Sequence, residues 1–188
     1  MRDLFLELIS DYLLLFPNER QRQERFIEYL NNHNDEEITD WNNFDGHIVA
    51  SGIVYAKNEQ KFLLIYHNDL KMFLCPGGHI ESSDNNPLDA AKREVKEETG
   101  IDDINEVVLS GNKLIPIDID THLIPYNERL KLPEHYHFDF RYLFTIDSIE
   151  TVKLDLSEVS KFKWISIAEL ENDENYGKIV KKITLVHK

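Results

Sequence analysis

The stretch that most constrains this chain runs from Pro76 to Gly100. It opens with Pro76-Gly77-Gly78, a loop where backbone without side chains can approach a neighbour closely. It closes with a helix predicted over 87–99. Pro87 stands at the first helical position, where its missing N–H costs nothing, and Gly100 is a natural stop. Ala90, Ala91 and Val95 favour the helix between them. Glu94, Glu97 and Glu98 fall at i, i+3 and i+4, so one helix face carries three carboxylates. Like charges at that spacing repel by roughly a few tenths of a kcal/mol per pair. Taken alone, such a run also reads as a solvated acidic face. The glycine loop just upstream turns the reading toward a site, because hard cations such as Mg²⁺ want clustered oxygen ligands.

The flanking sequence predicts an α+β or α/β fold, a mixed sheet between helices. Two amphipathic helices are expected over 3–15 and 18–31. The first has Leu4, Phe5, Leu8, Ile9, Tyr12 and Leu13 on its apolar face, and Pro17 ends it. Residues 1–40 then form an N-terminal helical hairpin that carries no chemistry, and 41–188 form the domain that holds the glutamate helix. Strands are expected at 47–55, 61–66 and 71–74, near 106–109, 114–119, 136–146 and 161–166, with a last helix from about Ile167.

The formal net charge of −14 argues against a basic face for DNA or RNA. It does not argue against an anionic substrate, since bound cations invert the local sign. The single cysteine, Cys75, excludes an intramolecular disulfide and points to a reducing compartment. Acids inside the first apolar stretch do not fit a signal peptide, and no apolar run approaches the roughly 20 residues a membrane span needs. The expectation is a cytoplasmic protein without a membrane partner, monomeric or homodimeric.

Gly78-His79-Ile80-Glu81-Ser82-Ser83-Asp84, then Arg93-Glu94-Val95-Lys96-Glu97-Glu98-Thr99-Gly100-Ile101, resembles the Nudix box. The second half matches that box at every specified position. The first half departs twice: Asp84 stands where the family has glutamate, and eight residues rather than seven separate it from Arg93. Gly46-His47-Ile48-Val49-Ala50-Ser51 and His135-Tyr136-His137-Phe138-Asp139 are similar to one bacterial subgroup of that family.

The resemblance implies a Nudix-type sheet sandwich and hydrolysis of a pyrophosphate bond with Mg²⁺ or Mn²⁺. Glu94, Glu97 and Glu98 would bind the metal, joined by the Gly78 carbonyl. Arg93 would brace the loop through an upstream acid, either Asp84 or Glu81. The general base would be Glu98 or Glu94, or the late-loop acid Glu158, which reads equally as an ordinary loop residue. The substrate would be a phosphorylated small molecule, a nucleoside diphosphate linked to another group. A proline past the box marks ADP-ribose-cleaving relatives, and Pro116 falls there. A nucleoside triphosphate pyrophosphohydrolase is the alternative, and a non-catalytic nucleotide sensor is the alternative of another class.

His135, His137, Asp139 and Arg141 alternate with Tyr136, Phe138, Phe140 and Tyr142, so the polar set shares one strand face. That set suits substrate contact or the support of neighbouring residues, ahead of a transition-metal site. His79, inside the glycine loop, is also expected to touch substrate. His47 reads as a structural histidine, His122 as a possible pocket wall, and His33 and His187 as surface residues. Cys75 reads as buried and inert.

Overall fold

The alternation of the central segments builds one eight-stranded sheet in a computed structural model, which describes every residue except Asn112, Arg129, Leu130, Glu150, His187 and Lys188. The expectation for His187 therefore lies outside the described residues. Two helices come first, α1 (Arg2–Leu15) and α2 (Arg20–Asn32), joined by a 3-10 turn at Pro17–Glu19. Four strands follow: β1 (His47–Ala56), β2 (Lys61–His67), β3 (Met72–Leu74) and β4 (Gly77–His79). Helix α3 (Pro87–Thr99) precedes β5 (Asn105–Glu106), β6 (Asp118–Ile124), β7 (His135–Ile146) and β8 (Val159–Ser166). The described chain ends in α4 (Ile167–Leu170) and α5 (Gly177–Val186).

The sheet is mixed. β1 and β7 run parallel in unbroken register from His47↔His137 to Ala56↔Ile146, and every other pairing is antiparallel. The side-chain period of two divides the sheet into faces. Ile48, Ala50 and Val54 of β1 join Phe138, Phe140 and Phe144 of β7 on one face. There they meet Ala90, Ala91 and Val95 of α3 and Phe5, Ile9 and Phe26 of the N-terminal helices. Gly52 is required at the crossing, because a Cβ there would collide with Val95 and Phe144. Ile53, Tyr55, Phe62 and Leu143 face the other way, against Leu170, Ile179 and Val180. The sheet is thus sandwiched between helices, and the N-terminal hairpin shares the main core rather than standing apart from it.

Two segments differ from the sequence reading. Gly77–His79 is not merely a loop but a strand paired to β1, Ala50↔Gly78. The strand expected at 114–119 begins instead at Asp118. Pro116 has no N–H for a ladder, and the pairing partners of 118–124 are residues 135–141 of β7. Those pairings place Asp118, Asp120 and His122 opposite Arg141, Asp139 and His137.

Candidate active site

Helix α3 is fixed at both ends by its own sequence. The Asn86 side chain accepts from the Asp89 N–H at 3.0 Å, and Gly100 adopts a left-handed φ of 70°. Packing against β1 then aims the acidic face at β4. Gly78 passes so close that a Cβ on it would lie 2.5 Å from Glu94 Oε1. A Cβ on Gly77 would meet Ser51 Oγ at 2.5 Å and the Ala50 carbonyl at 2.7 Å. Both glycines are therefore dictated by contact with neighbours.

Arg93 organises the acids around it. Its Nε and Nη2 donate to the two oxygens of Asp84 at 3.2 and 3.0 Å, and Nη2 also donates to the His79 carbonyl at 2.9 Å. Nη1 donates to Glu94 at 2.8 Å and to Glu97 at 2.9 Å. Asp84 is buried and accepts in addition from the Glu81 N–H at 2.8 Å. The Glu81 carboxylate stays exposed, 3.9 Å from Arg93. Of the two acids the sequence left open beside Arg93, the two-point pair is made by Asp84. The extra residue between them is absorbed before the helix starts.

Glu98 is buried and accepts from the Gly77 N–H at 2.9 Å. Burial pushes its carboxyl up to about 8; the Gly77 bond opposes the shift, while Glu94, Glu158 and Asp155 add to it. Glu94 is raised for the same reason, burial outweighing Arg93, with Glu97 and Glu158 contributing. Glu158 is exposed, yet its charge reaches both buried glutamates. Asp155, which sequence reasoning passed over, is tied to the helix end by its N–H on the Glu98 carbonyl at 3.3 Å.

These residues fit a divalent cation. The donors are all hard oxygens, two of them buried carboxyls that repel each other, with a bare backbone pressed against Glu94. Among the described residues the three glutamates do not converge on one point, because Arg93 holds Glu94 and Glu97 while Gly77 holds Glu98.

The polar strand face divides into two parts. Asp139 is buried and Arg141 partly so, and they are joined to each other, Arg141 Nε to Asp139 Oδ2 at 2.8 Å, while Ser51 Oγ donates to the same oxygen at 3.0 Å. Arg141 further reaches Asp120 at 2.9 Å. These two side chains are thus engaged inside the protein. Asp118 lies at the centre of that network with Lys182, Arg22, Lys178 and Arg141 within 3.5 Å. Burial alone would raise its carboxyl, but the four cations hold it at about 2. The other part is a cluster of histidines. His47 Nε2 lies 2.8 Å from His79 Nε2, and His135 Nε2 lies 3.2 Å from His137 Nε2. Burial, then the neighbouring His79, lowers His47 to about 4. His137 is lowered further, by burial and four surrounding imidazoles. The signal for His47 was its parity with Ser51 on β1, readable only once β1 is known to lie beside β7. Cys75, expected to be buried, is half-buried as a residue, and burial pushes its thiol up to about 12.

A family model described as the NUDIX domain matches residues 46–184. The chain belongs to the Nudix family. A Nudix hydrolase acts on pyrophosphate bonds, and so does this one. The family generally uses divalent metals and binds nucleotide derivatives. A Lactococcus lactis subsp. cremoris protein named as a probable DHNTP pyrophosphohydrolase is 33% identical over 150 residues, 80% of this chain and 84% of that protein. The crystal structure of a NUDIX-family hydrolase from Clostridium perfringens is similar with a TM-score of 0.52 at 28% identity, covering 75% of this chain and 96% of that one. The E. coli dihydroneopterin triphosphate pyrophosphohydrolase shares the fold, with a TM-score of 0.55 at 15% identity over 74% of this chain and 94% of that one. Among the described residues no helix of this Nudix chain is long and apolar enough to cross a membrane.

Proposed function

We propose that the chain hydrolyses a phosphoanhydride bond in a small heterocycle-linked di- or oligophosphate, using Mg²⁺ or Mn²⁺ held by Glu94, Glu97, Glu98 and the Gly78 carbonyl. The observation that carries this reading is the packing of Gly78 against Glu94 while Arg93 joins Asp84, Glu94 and Glu97. A divalent cation there supplies neutralisation of phosphate oxygens and a lowered pKa for a bound water.

The chain's own residues set up the rest. Asp84 and the His79 carbonyl fix the Arg93 guanidinium, so the β4 backbone and the helix face keep one spacing. Glu98, oriented by the Gly77 N–H, takes up the proton of the attacking water. Glu94, Glu158 and Asp155 are the other acids within electrostatic reach of that position. The exposure of His79 at the end of β4, with His137 and His135 behind it, supports its contact with the substrate's phosphates.

Two substrate classes have specific support. The Lactococcus relative, with its name and its coverage, favours a pterin triphosphate. The position of Pro116 after the box favours ADP-ribose or another nucleotide sugar. A panel decides between them: dihydroneopterin triphosphate, nucleotide sugars, dinucleoside polyphosphates and nucleoside triphosphates, each with Mg²⁺ and with Mn²⁺, read by phosphate release after phosphatase coupling. Metal-dependent turnover of one class supports the reading. Tight binding of ADP-ribose in calorimetry with no turnover of any substrate overturns it in favour of a sensor.

A further inference from the structure

Three strands bring imidazoles together on the sheet face that α3 does not cover. β1 contributes His47, β4 contributes His79 and β7 contributes His137, and one ring nitrogen of each lies within 4.8 Å of the others. Register explains the convergence. His47 pairs directly with His137, and His79 pairs with Val49, two residues along β1 and so on the same face as His47. The same alternation turns Gly78 toward Glu94 and His79 toward His47. Adjacent residues of one short strand therefore serve two separate clusters.

Two rings, His47 in this group and the neighbouring His135, have an outer nitrogen tied to a carbonyl. His47 Nδ1 faces the Asn43 carbonyl at 3.4 Å, and His135 Nδ1 faces the Pro133 carbonyl at 2.8 Å. A carbonyl oxygen only accepts, so each Nδ1 carries the proton and each neutral ring keeps a bare Nε2. Those Nε2 atoms point inward, at His79 Nε2 and His137 Nε2. Of the three clustered rings, His47 has the usual outer arrangement of a metal-ligating histidine, its far N–H fixed by a carbonyl. Two imidazoles 2.8 Å apart can share one proton between them, whereas a cation satisfies both lone pairs at once. Metal–nitrogen bonds of about 2.0–2.1 Å in a tetrahedral set need nitrogens roughly 3.3 Å apart, a spacing that small ring rotations reach from here. The donors are nitrogen throughout, so the site suits a zinc-class transition ion and not the magnesium-class ion of the glutamate face.

We propose that His47, His79 and His137 bind one transition-metal ion of the zinc class. Three protein ligands leave a position open for water or an anionic oxygen of a substrate. His135 stands behind His137 as an orienting neighbour. His79 is the exposed member, and its carbonyl is held by Arg93, so the ion would sit beside the glutamate face on the other side of β4.

The test uses the full, tag-free chain, stripped with a chelator and titrated with Co²⁺ alone, followed by Zn²⁺ alone. The expected result is about one equivalent of Co²⁺ with visible ligand-field absorption of low coordination number, displaced by Zn²⁺. His79→Gln, at the exposed end of the cluster, is expected to weaken binding by more than about tenfold. His47→Gln and His137→Gln are expected to abolish the spectrum. If His47→Gln or His137→Gln fails to fold, His79→Gln decides. The Glu94→Gln/Glu97→Gln/Glu98→Gln variant is expected to keep the spectrum, which separates this site from the proposed hydrolytic one. No stoichiometric absorption, a spectrum unchanged in His79→Gln, or a spectrum lost with the glutamates would each overturn the proposal.

Discussion

Two parts of this molecule gather acids around arginine, and they do so in opposite balance. At the α3 face one guanidinium, Arg93, faces Asp84, Glu94, Glu97 and, at longer range, Glu81. Beneath β6 and β7, Asp118 and Asp120 are surrounded by Arg22, Arg141, Lys178 and Lys182. Glu19 and Asp139 complete that second group, bringing its acids and bases level. The second cluster is neutralised by the protein itself and welds α1, α2 and α5 to the edge of the sheet. The first is left with excess negative charge and a nearby bare backbone, which is the condition for recruiting a cation. Buried, balanced ion pairs read as architecture; a half-buried, unbalanced set reads as a site.

The sharpest way to break this contrast is to unbalance the neutral cluster. Asp118→Ala leaves Lys182 and its neighbours without their shared partner, and the expected cost is about 3–5 kcal/mol in chemical denaturation, with turnover per folded molecule retained. A loss below 1 kcal/mol would mean the cluster is not a weld.

The pH dependence comes next. Asp118 titrates near 2 when folded, against about 3.9 when unfolded. A carboxyl with a depressed folded value binds more protons when unfolded at intermediate pH. Its contribution, of order 2 kcal/mol, is therefore present above pH 4 and lost as pH falls from about 4 through about 2. Denaturation profiles of the wild type and Asp118→Asn should converge across that window.

On the unbalanced side, Arg93→Gln removes the pair with Asp84 and the hold on Glu94 and Glu97. The expected effect is a rise of about 10–100-fold in the Mg²⁺ concentration for half-maximal rate, measured by titrating metal at saturating substrate. Glu81→Gln should do least. Its carboxylate is exposed, so stability should stay within about 0.5 kcal/mol of wild type, and the metal requirement should not move.

Legibility followed sequence distance. The Arg93–Gly100 run lies in one helix, so its face, its stop at Gly100 and its three carboxylates were readable by period alone. The choice between Asp84 and Glu81 was not, because it turns on how the turn over 80–86 folds back onto Arg93. The alternation of His135, His137, Asp139 and Arg141 was readable, but its meaning was not. Asp139 and Arg141 are matched by Ser51 and Asp120, and His137 by His47, through strand pairings that span long loops. No local pattern announces a parallel neighbour some ninety residues away in the chain. The offset of β6 has the same cause, since its start is chosen by β7 and by Pro116.

The central claim is that the glutamate face of α3 is where a divalent cation supports phosphoanhydride cleavage. It is tested most directly by the Mg²⁺-dependent hydrolysis rate of Glu97→Gln and Glu98→Gln, measured beside their melting curves on the best substrate of the panel. A fall in kcat/KM of about 100-fold or more is expected for each; melting of Glu98→Gln should be unchanged or raised, because repulsion between the buried Glu94 and Glu98 is relieved, and melting of Glu97→Gln, at an exposed position, should change little. Folded variants that keep full Mg²⁺-dependent turnover would contradict the claim.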